Sequence, residues 1–211
     1  MLKFKIPLLA VLFTLAACLA TPETQLVPEE HRLTVFGTID GQTPGALRRS
    51  VDRNPEVTTL VLQNVPGSVD DDASLTQMAR FIRDAGLTTR VPSDGMVASG
   101  GVDMLAMGAT RVIEPGACVG VHSWAEGGLL GSVAGADLPR TDPAHDLYLS
   151  FYEDMGIPES FYWFTLSAAG PDDIHWMSPR EINRFQLSTR PLPDVLNETP
   201  AQRWARCEAR G

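Results

Sequence analysis

An α/β layered domain with a more helical carboxyl half is what the 211-residue sequence predicts. Three observations carry this. Short β-branched runs alternate with helix-period segments between residues 31 and 121; Gly- and Pro-rich turns punctuate them; and aromatic residues recur at helical spacing beyond residue 142.

Leu33, Val35 and Ile39 alternate with polar neighbours as a first strand starting near His31 and ending at Asp40-Gly41. A helix is expected from Pro44 to Asn54. The run Val57 to Leu62 reads as a buried strand that ends in Asn64-Val65-Pro66-Gly67-Ser68. Leu75, Met78, Ala79 and Ile82 place a helix over Ala73 to Ala85. A strand from Thr88 to Val91 precedes the turn Gly95-Met96-Val97-Ala98-Ser99-Gly100-Gly101. A helical run from Val102 to Ala109 and strands at Arg111 to Ile113 and Cys118 to Val121 follow. Further on, Asp142-Pro143 reads as an N-cap and first helical residue. Tyr148, Phe151, Tyr152 and Met155 share one face, and Gly156 stops the helix. A second helix is expected over Pro158 to Ala169, and another from Pro179 to Phe185 after a short strand.

The amino terminus reads as an address. Lys3 and Lys5 precede an apolar stretch from Ile6 to Leu15, and Leu15-Ala16-Ala17-Cys18 has the layout of a bacterial lipobox. The segmentation expected is a signal peptide over 1–17, then a lipidated Cys18 and flexible linker over 18–30. A folded domain over 31–190 and a carboxyl-terminal tail over 191–211, with Trp204 as a docking anchor, follow. The likeness to a lipobox implies a mature chain in the periplasm, and Leu19 rather than Asp after the cysteine resembles sorting to the inner leaflet of the outer membrane.

Composition excludes several function classes. Seventeen Lys and Arg against 26 Asp and Glu leave a net charge of −9 with no basic run, so nucleic acid is not an expected partner. Beyond residue 5 the chain has no lysine at all, which removes P-loop phosphate binding, Schiff-base chemistry and a Ser-Lys dyad. His145 and His175 have no metal-ligand spacing to His122, so no metal is expected. Once Cys18 is lipidated, Cys118 and Cys207 remain. In an oxidising compartment they either pair, or Cys118 stays free and buried.

The candidate chemistry sits in two turns. Ser99 lies between an extended segment and a helix, where backbone amides can stabilise a developing oxyanion. His122 ends a strand and can project into a site as general base. The glycine-rich stretch Gly127 to Ala136 that follows is either a lid or a plain loop.

Four motifs in order resemble the Clp protease proteolytic subunit and the related crotonase-like fold, with its periplasmic members especially similar. Asn64 to Val69 is similar to a strand-ending N-S-P-G-G-V, with Ser68 standing where the family has a second glycine. Gly95 to Gly101 is similar to its G-x-x-A-S-x-G nucleophile turn. Gly108-Ala109-Thr110-Arg111, then Pro115 and Val119-Gly120-Val121-His122, resembles its base-histidine segment, and Asp173 stands six residues before Pro179 as the triad aspartate does. The resemblance implies a cofactor-free serine hydrolase acting on a peptide or ester. In it Ser99 is nucleophile, His122 base, Asp173 (or its neighbour Asp172) the orienting carboxylate, and the amides of Ser68 and Gly100 the oxyanion hole. A catalytically silent binding or scaffold lipoprotein is the alternative. A homo-oligomer is also expected, since the superfamily forms rings or trimers and Phe161 to Phe164 offers apolar surface all round one helix.

Overall fold

The computed structural model describes residues 24–68, 72–128, 131–193 and 198–210. The segment expected to be a signal peptide, and Cys18, lie outside the described residues. Ten strands and seven α-helices occur in the described chain. The amino-terminal hairpin β1 (Gln25–Glu29) and β2 (Arg32–Phe36) leads into α1 (Thr43–Arg53), β3 (Thr59–Val65) and α2 (Asp72–Asp84). Next come β4 (Thr88–Val91), β5 (Met96–Ala98), α3 (Gly100–Ala106), β6 (Thr110–Ile113) and β7 (Cys118–Val121).

β3 is the hub of the main sheet. It is parallel to β2 on one side, and on the other its first half pairs with β4 while its last two residues pair with β5. The sheet therefore forks. One limb continues from β4 to β6, and the other from β5 to β7 and then to the antiparallel β10 (His175–Trp176). The fork places the carboxyl ends of β3, β5 and β7 side by side, where open parallel sheets present their sites. Leu60, Leu62, Val97, Met104, Leu105 and Val119 form the buried centre between sheet and helices.

The linker expected over 18–30 is corrected at its end, because residues 25–29 form β1, paired with β2 from Gln25↔Phe36 to Glu29↔Arg32. β1 lies at a sheet edge, which tolerates Pro28 because the missing N–H leaves no inner ladder broken, and four of its five residues are exposed. Pairing rather than burial holds this strand, so its sequence shows no hydrophobic alternation.

The stretch Gly127 to Ala136 also differs from a plain loop: β8 (Ala125–Gly128) and β9 (Gly131–Ala134) form a separate antiparallel hairpin. Residues 129 and 130, at its tip, lie outside the described residues. The hairpin is anchored where the Gly135 amide donates to the Trp124 carbonyl, and a Cβ on Gly135 would lie 2.4 Å from the indole.

The two helices expected in the carboxyl half form as α4 (Asp146–Asp154) and α5 (Glu159–Ala168), and they pack together. Within the chain itself, Phe161 and Tyr162 are buried, Trp163 lies beneath the Arg140 guanidinium, and Phe164 packs on Phe185 and His175. The aromatic run is thus housed without a second copy, which removes it as an argument for self-association.

Arg111 ties the two halves together. Its buried guanidinium donates to the carbonyls of Met155, Gln186 and Leu187. Its own carbonyl accepts from the Thr189 amide and from the hydroxyls of Ser188 and Thr189. Burial, with the Arg83 charge adding to it, lowers the Arg111 pKa.

α6 (Pro179–Arg184) begins with a capping box in which Ser178 and Glu181 bond reciprocally, and Glu181 also meets His175 at 3.0 Å. Burial opposes ionisation of Glu181, but the His175 and Ser178 hydrogen bonds prevail and hold its carboxyl down to about 2. A carboxylate whose pKa falls on folding stabilises the native state above its ordinary value of 4.5, and that contribution is lost as pH falls through about 2. Wild-type stability should therefore drop more steeply than that of Glu181→Gln between pH 5 and 2. Parallel urea titrations giving a constant difference between the two across that range would refute it.

The tail expected over 191–211 is likewise corrected. Thr199 and Gln202 close a capping box that starts α7 (Pro200–Glu208), and Cys207 is disulfide-bonded to Cys118 on β7. The Arg206 and Arg210 guanidinia donate to the Gly116 carbonyl, and Asn64 donates to the carbonyl of Arg210. The anchor is Cys207, fully buried, rather than Trp204, which is 53% exposed. The bridge closes a sequence separation of 89 residues, worth about 4–5 kcal/mol by chain entropy. Reduction should accordingly lower the melting midpoint by several degrees, measured with and without reductant; an unchanged midpoint with both thiols titratable would contradict this.

Candidate active site

Ser99 stands between β5 and α3 with φ 50° and ψ −126°, a region that L-residues seldom occupy and that costs about 1–3 kcal/mol. Its surroundings impose the turn. The Ser99 amide donates to the Gly120 carbonyl at 3.1 Å, which fixes the end of β5 against β7. On the other side a Cβ on Gly101 would lie 2.1 Å from the Val65 carbonyl oxygen, so only glycine lets α3 start this close to β3. The serine is thereby lifted out at the strand–helix junction.

The Pro66-Gly67-Ser68 turn presses on the same point. Gly67 has φ 132°, and a Cβ there would lie 2.7 Å from the Ser99 Cβ. Its carbonyl accepts from the Ile39 amide. Ser68 adopts the left-handed conformation, φ 63°, so the residue that stands where the resembled motif has a second glycine takes the backbone that favours glycine. The Gly100 amide opens α3 and, as a first-turn amide, has no intrahelical acceptor.

His122 follows β7 directly, and Ser99 and His122 line one cavity of about 50 Å³. No hydrogen bond joins the two side chains. His122 Nδ1 lies 2.8 Å from the Ser123 carbonyl oxygen, an acceptor only, so Nδ1 carries the proton and Nε2 is left with its lone pair. That is the tautomer a general base needs. Ser123 is fully buried, and its hydroxyl donates to the Trp124 carbonyl and accepts from the Ala136 amide, which steadies the segment.

Asp173 lies two residues before His175, the β-partner of Val121, and so at the correct end of β7. Its exposed carboxylate, however, accepts from the Ile174 amide and makes no hydrogen bond to His122. Asp172 is exposed too. The structure therefore brings Ser99, His122 and the Gly67-Ser68 turn together, while the Ser123 carbonyl occupies the position expected of the third carboxylate.

One carboxyl in the cavity was not anticipated. Asp103, one turn into α3 from Ser99, is 8% exposed and accepts from the Tyr152 hydroxyl at 2.5 Å. Burial pushes its pKa up to about 6, with the Tyr152 hydrogen bond pulling the other way. Its sequence signal was an acidic residue inside the apolar run Gly101 to Ala106. Tyr148, Tyr152 and Tyr162, which read as core positions, share the cavity wall with Trp124. Among the described residues no group of His, Cys, Asp and Glu could hold a metal ion.

No protein-family model matches the sequence, and no curated protein matches it significantly. Solved structures do match. A mutant of the 1510-N membrane-bound stomatin-specific protease superposes with a TM-score of 0.52 at 12% identity, over 76% of this chain and 79% of that one. A polyketide-biosynthesis enoyl-CoA hydratase from Bacillus subtilis, described as putative, gives 0.49 at 12% identity over 83% and 73% of the two chains. Another such enoyl-CoA hydratase, from Streptomyces coelicolor A3(2), gives 0.47 at 14% identity over 94% and 78%. At 12% identity the likeness to the protease shows the fold alone: the chain has a Clp protease-like α/β fold, shared with the stomatin-specific protease structure.

Proposed function

We propose that the chain is a lipid-anchored periplasmic serine hydrolase, a peptidase in preference to an esterase, working through Ser99 and His122. The observation that carries this reading is the strained Ser99 turn sharing a cavity with a His122 whose Nδ1 is held by the Ser123 carbonyl. Ser99 Oγ attacks the acyl carbonyl while His122 Nε2 takes its proton, and the amides of Ser68 and Gly100 receive the oxyanion. Collapse expels the amine or alcohol, which leaves with the proton from Nε2. Water then attacks the acyl-serine along the same path, regenerating the serine and releasing the acid. The backbone carbonyl fixes the tautomer but carries no negative charge to stabilise the imidazolium, so turnover is expected to be slower than a carboxylate-assisted triad gives. Mixing the protein with a p-nitrophenyl ester should produce a burst of p-nitrophenol stoichiometric with protein, followed by slower turnover. A trace without burst or turnover above that of Ser99→Ala would reject the reading.

The exposed, disengaged Asp173 favours a second reading, a silent binding lipoprotein with the same groove. That reading predicts ligand binding without acylation.

For the anchor, residues 19–24 separate Cys18 from β1 and span at most about 20 Å, so the sheet edge would stand close to the membrane. Cys18→Ser is expected to abolish incorporation of labelled fatty acid and to release the protein from the membrane fraction, or leave it uncleaved. Wild-type protein found wholly in the cytosol would contradict this.

A further inference from the structure

The Ser99 cavity holds a buried carboxyl that the acyl-transfer steps do not use. Asp103 faces it from α3, and the one hydrogen bond found to its carboxyl among the described residues comes from the Tyr152 hydroxyl. Among the described residues no Arg or His pairs with it, and Arg111, a buried guanidinium of the fold, is engaged by carbonyls elsewhere. A buried carboxylate without a cation is costly, and buried carboxyls in clefts cluster at ligand-binding and active sites.

The rest of the wall leaves it as the sole carboxyl in the cavity. Val102, Val121 and the rings of Trp124, Tyr148 and Tyr162 are apolar, and Tyr148 lies stacked between the other two rings. The Trp124 indole N–H donates to the Tyr162 hydroxyl rather than to Asp103. His122, the other titratable group of the cavity besides the tyrosines, has its Nδ1 on the Ser123 carbonyl. A volume of about 50 Å³ takes roughly three to five waters, the size of one guanidinium or of an ammonium with its last methylene.

We propose that Asp103 is the specificity-determining residue of a subsite for a basic side chain, Arg or Lys, whose cationic head pairs with the Asp103 carboxylate while its alkyl stem lies along the valines and aromatic rings. This rests on the hydrolase reading in one respect: the subsite adjoins Ser99, so the side chain recognised is the one next to the scissile bond. Asp103 lies one helical turn from the nucleophile, and a substrate acylating Ser99 would point its neighbouring side chain into this cavity. Tyr152 positions one carboxylate oxygen and leaves the other for the cation.

The test uses two small probes on the intact protein and on Ser99→Ala: n-butylguanidinium and its neutral isostere n-butylurea, with binding read by NMR shift titration of the cavity residues. The guanidinium is expected to bind at least tenfold more tightly than the urea to both proteins. Asp103→Asn, which keeps an acceptor for Tyr152, should abolish that preference. Equal binding of the two probes to wild type overturns the proposal without recourse to any variant, as does an undiminished preference in a folded Asp103→Asn. Failure of Ser99 to acylate while the guanidinium still binds would sink the hydrolase reading and leave the cation subsite standing. An acylated Ser99 with no guanidinium preference would do the reverse. In an active enzyme, peptide esters with Arg or Lys before the scissile bond should exceed those with norleucine by more than tenfold in kcat/KM.

Discussion

Ser99→Ala and His122→Ala should each lower ester or peptide turnover at least about 10³-fold, while Asp173→Asn stays within a few-fold of wild type. The first two follow from the shared cavity and from the free Nε2 lone pair that the Ser123 carbonyl secures. The third follows from a carboxylate that accepts from the Ile174 amide and does not touch the imidazole. In an aspartate-assisted triad the same asparagine change inverts the imidazole tautomer and costs about 10⁴-fold. Here the tautomer is set by a backbone oxygen that no side-chain substitution removes. A collapse of activity in Asp173→Asn would show that the aspartate swings onto His122 when substrate binds.

The second large effect is on stability. Arg111→Ala should lose about 3–5 kcal/mol, because it leaves the carbonyls of Met155, Gln186 and Leu187 buried without their donor. Those carbonyls belong to the end of α4 and to the segment after α6, so the variant unfastens the carboxyl half from β6. Arg111→Lys should recover only part of the loss, since one ammonium cannot reproduce the planar fork that reaches three oxygens. Urea unfolding midpoints for the three proteins check this, and an Arg111→Ala midpoint close to that of wild type would refute it.

The strands of the main sheet that carry core residues were the legible part of the sequence. β4 and β7 coincide with their β-branched runs, and β3 and β6 deviate only at their ends. The peripheral elements were not legible, for reasons of solvent exposure. β1 is an edge strand whose side chains mostly face water, and β8 and β9 are glycine-rich and paired only with each other. α7 carried a readable start, Thr199-Pro200 with Gln202, but its place in the fold is set by a disulfide to a residue 89 positions away. In the site, Ser99 and His122 could be read because turn chemistry and strand ends have local signatures. Asp103 left only a faint signal, an acidic residue in an apolar run, because its burial is declared when α4 brings Tyr152 against it. The His122 Nδ1 meets the Ser123 carbonyl rather than Asp173, and a backbone acceptor has no signature in the amino-acid code.

The measurement that bears most directly on the account is reaction with a fluorophosphonate probe followed by peptide mapping. The account predicts stoichiometric phosphonylation of the Ser99 Oγ, slowed strongly in His122→Ala and unchanged in Asp173→Asn. A folded wild-type protein that remains unlabelled, or that carries the label on any other serine, would contradict it.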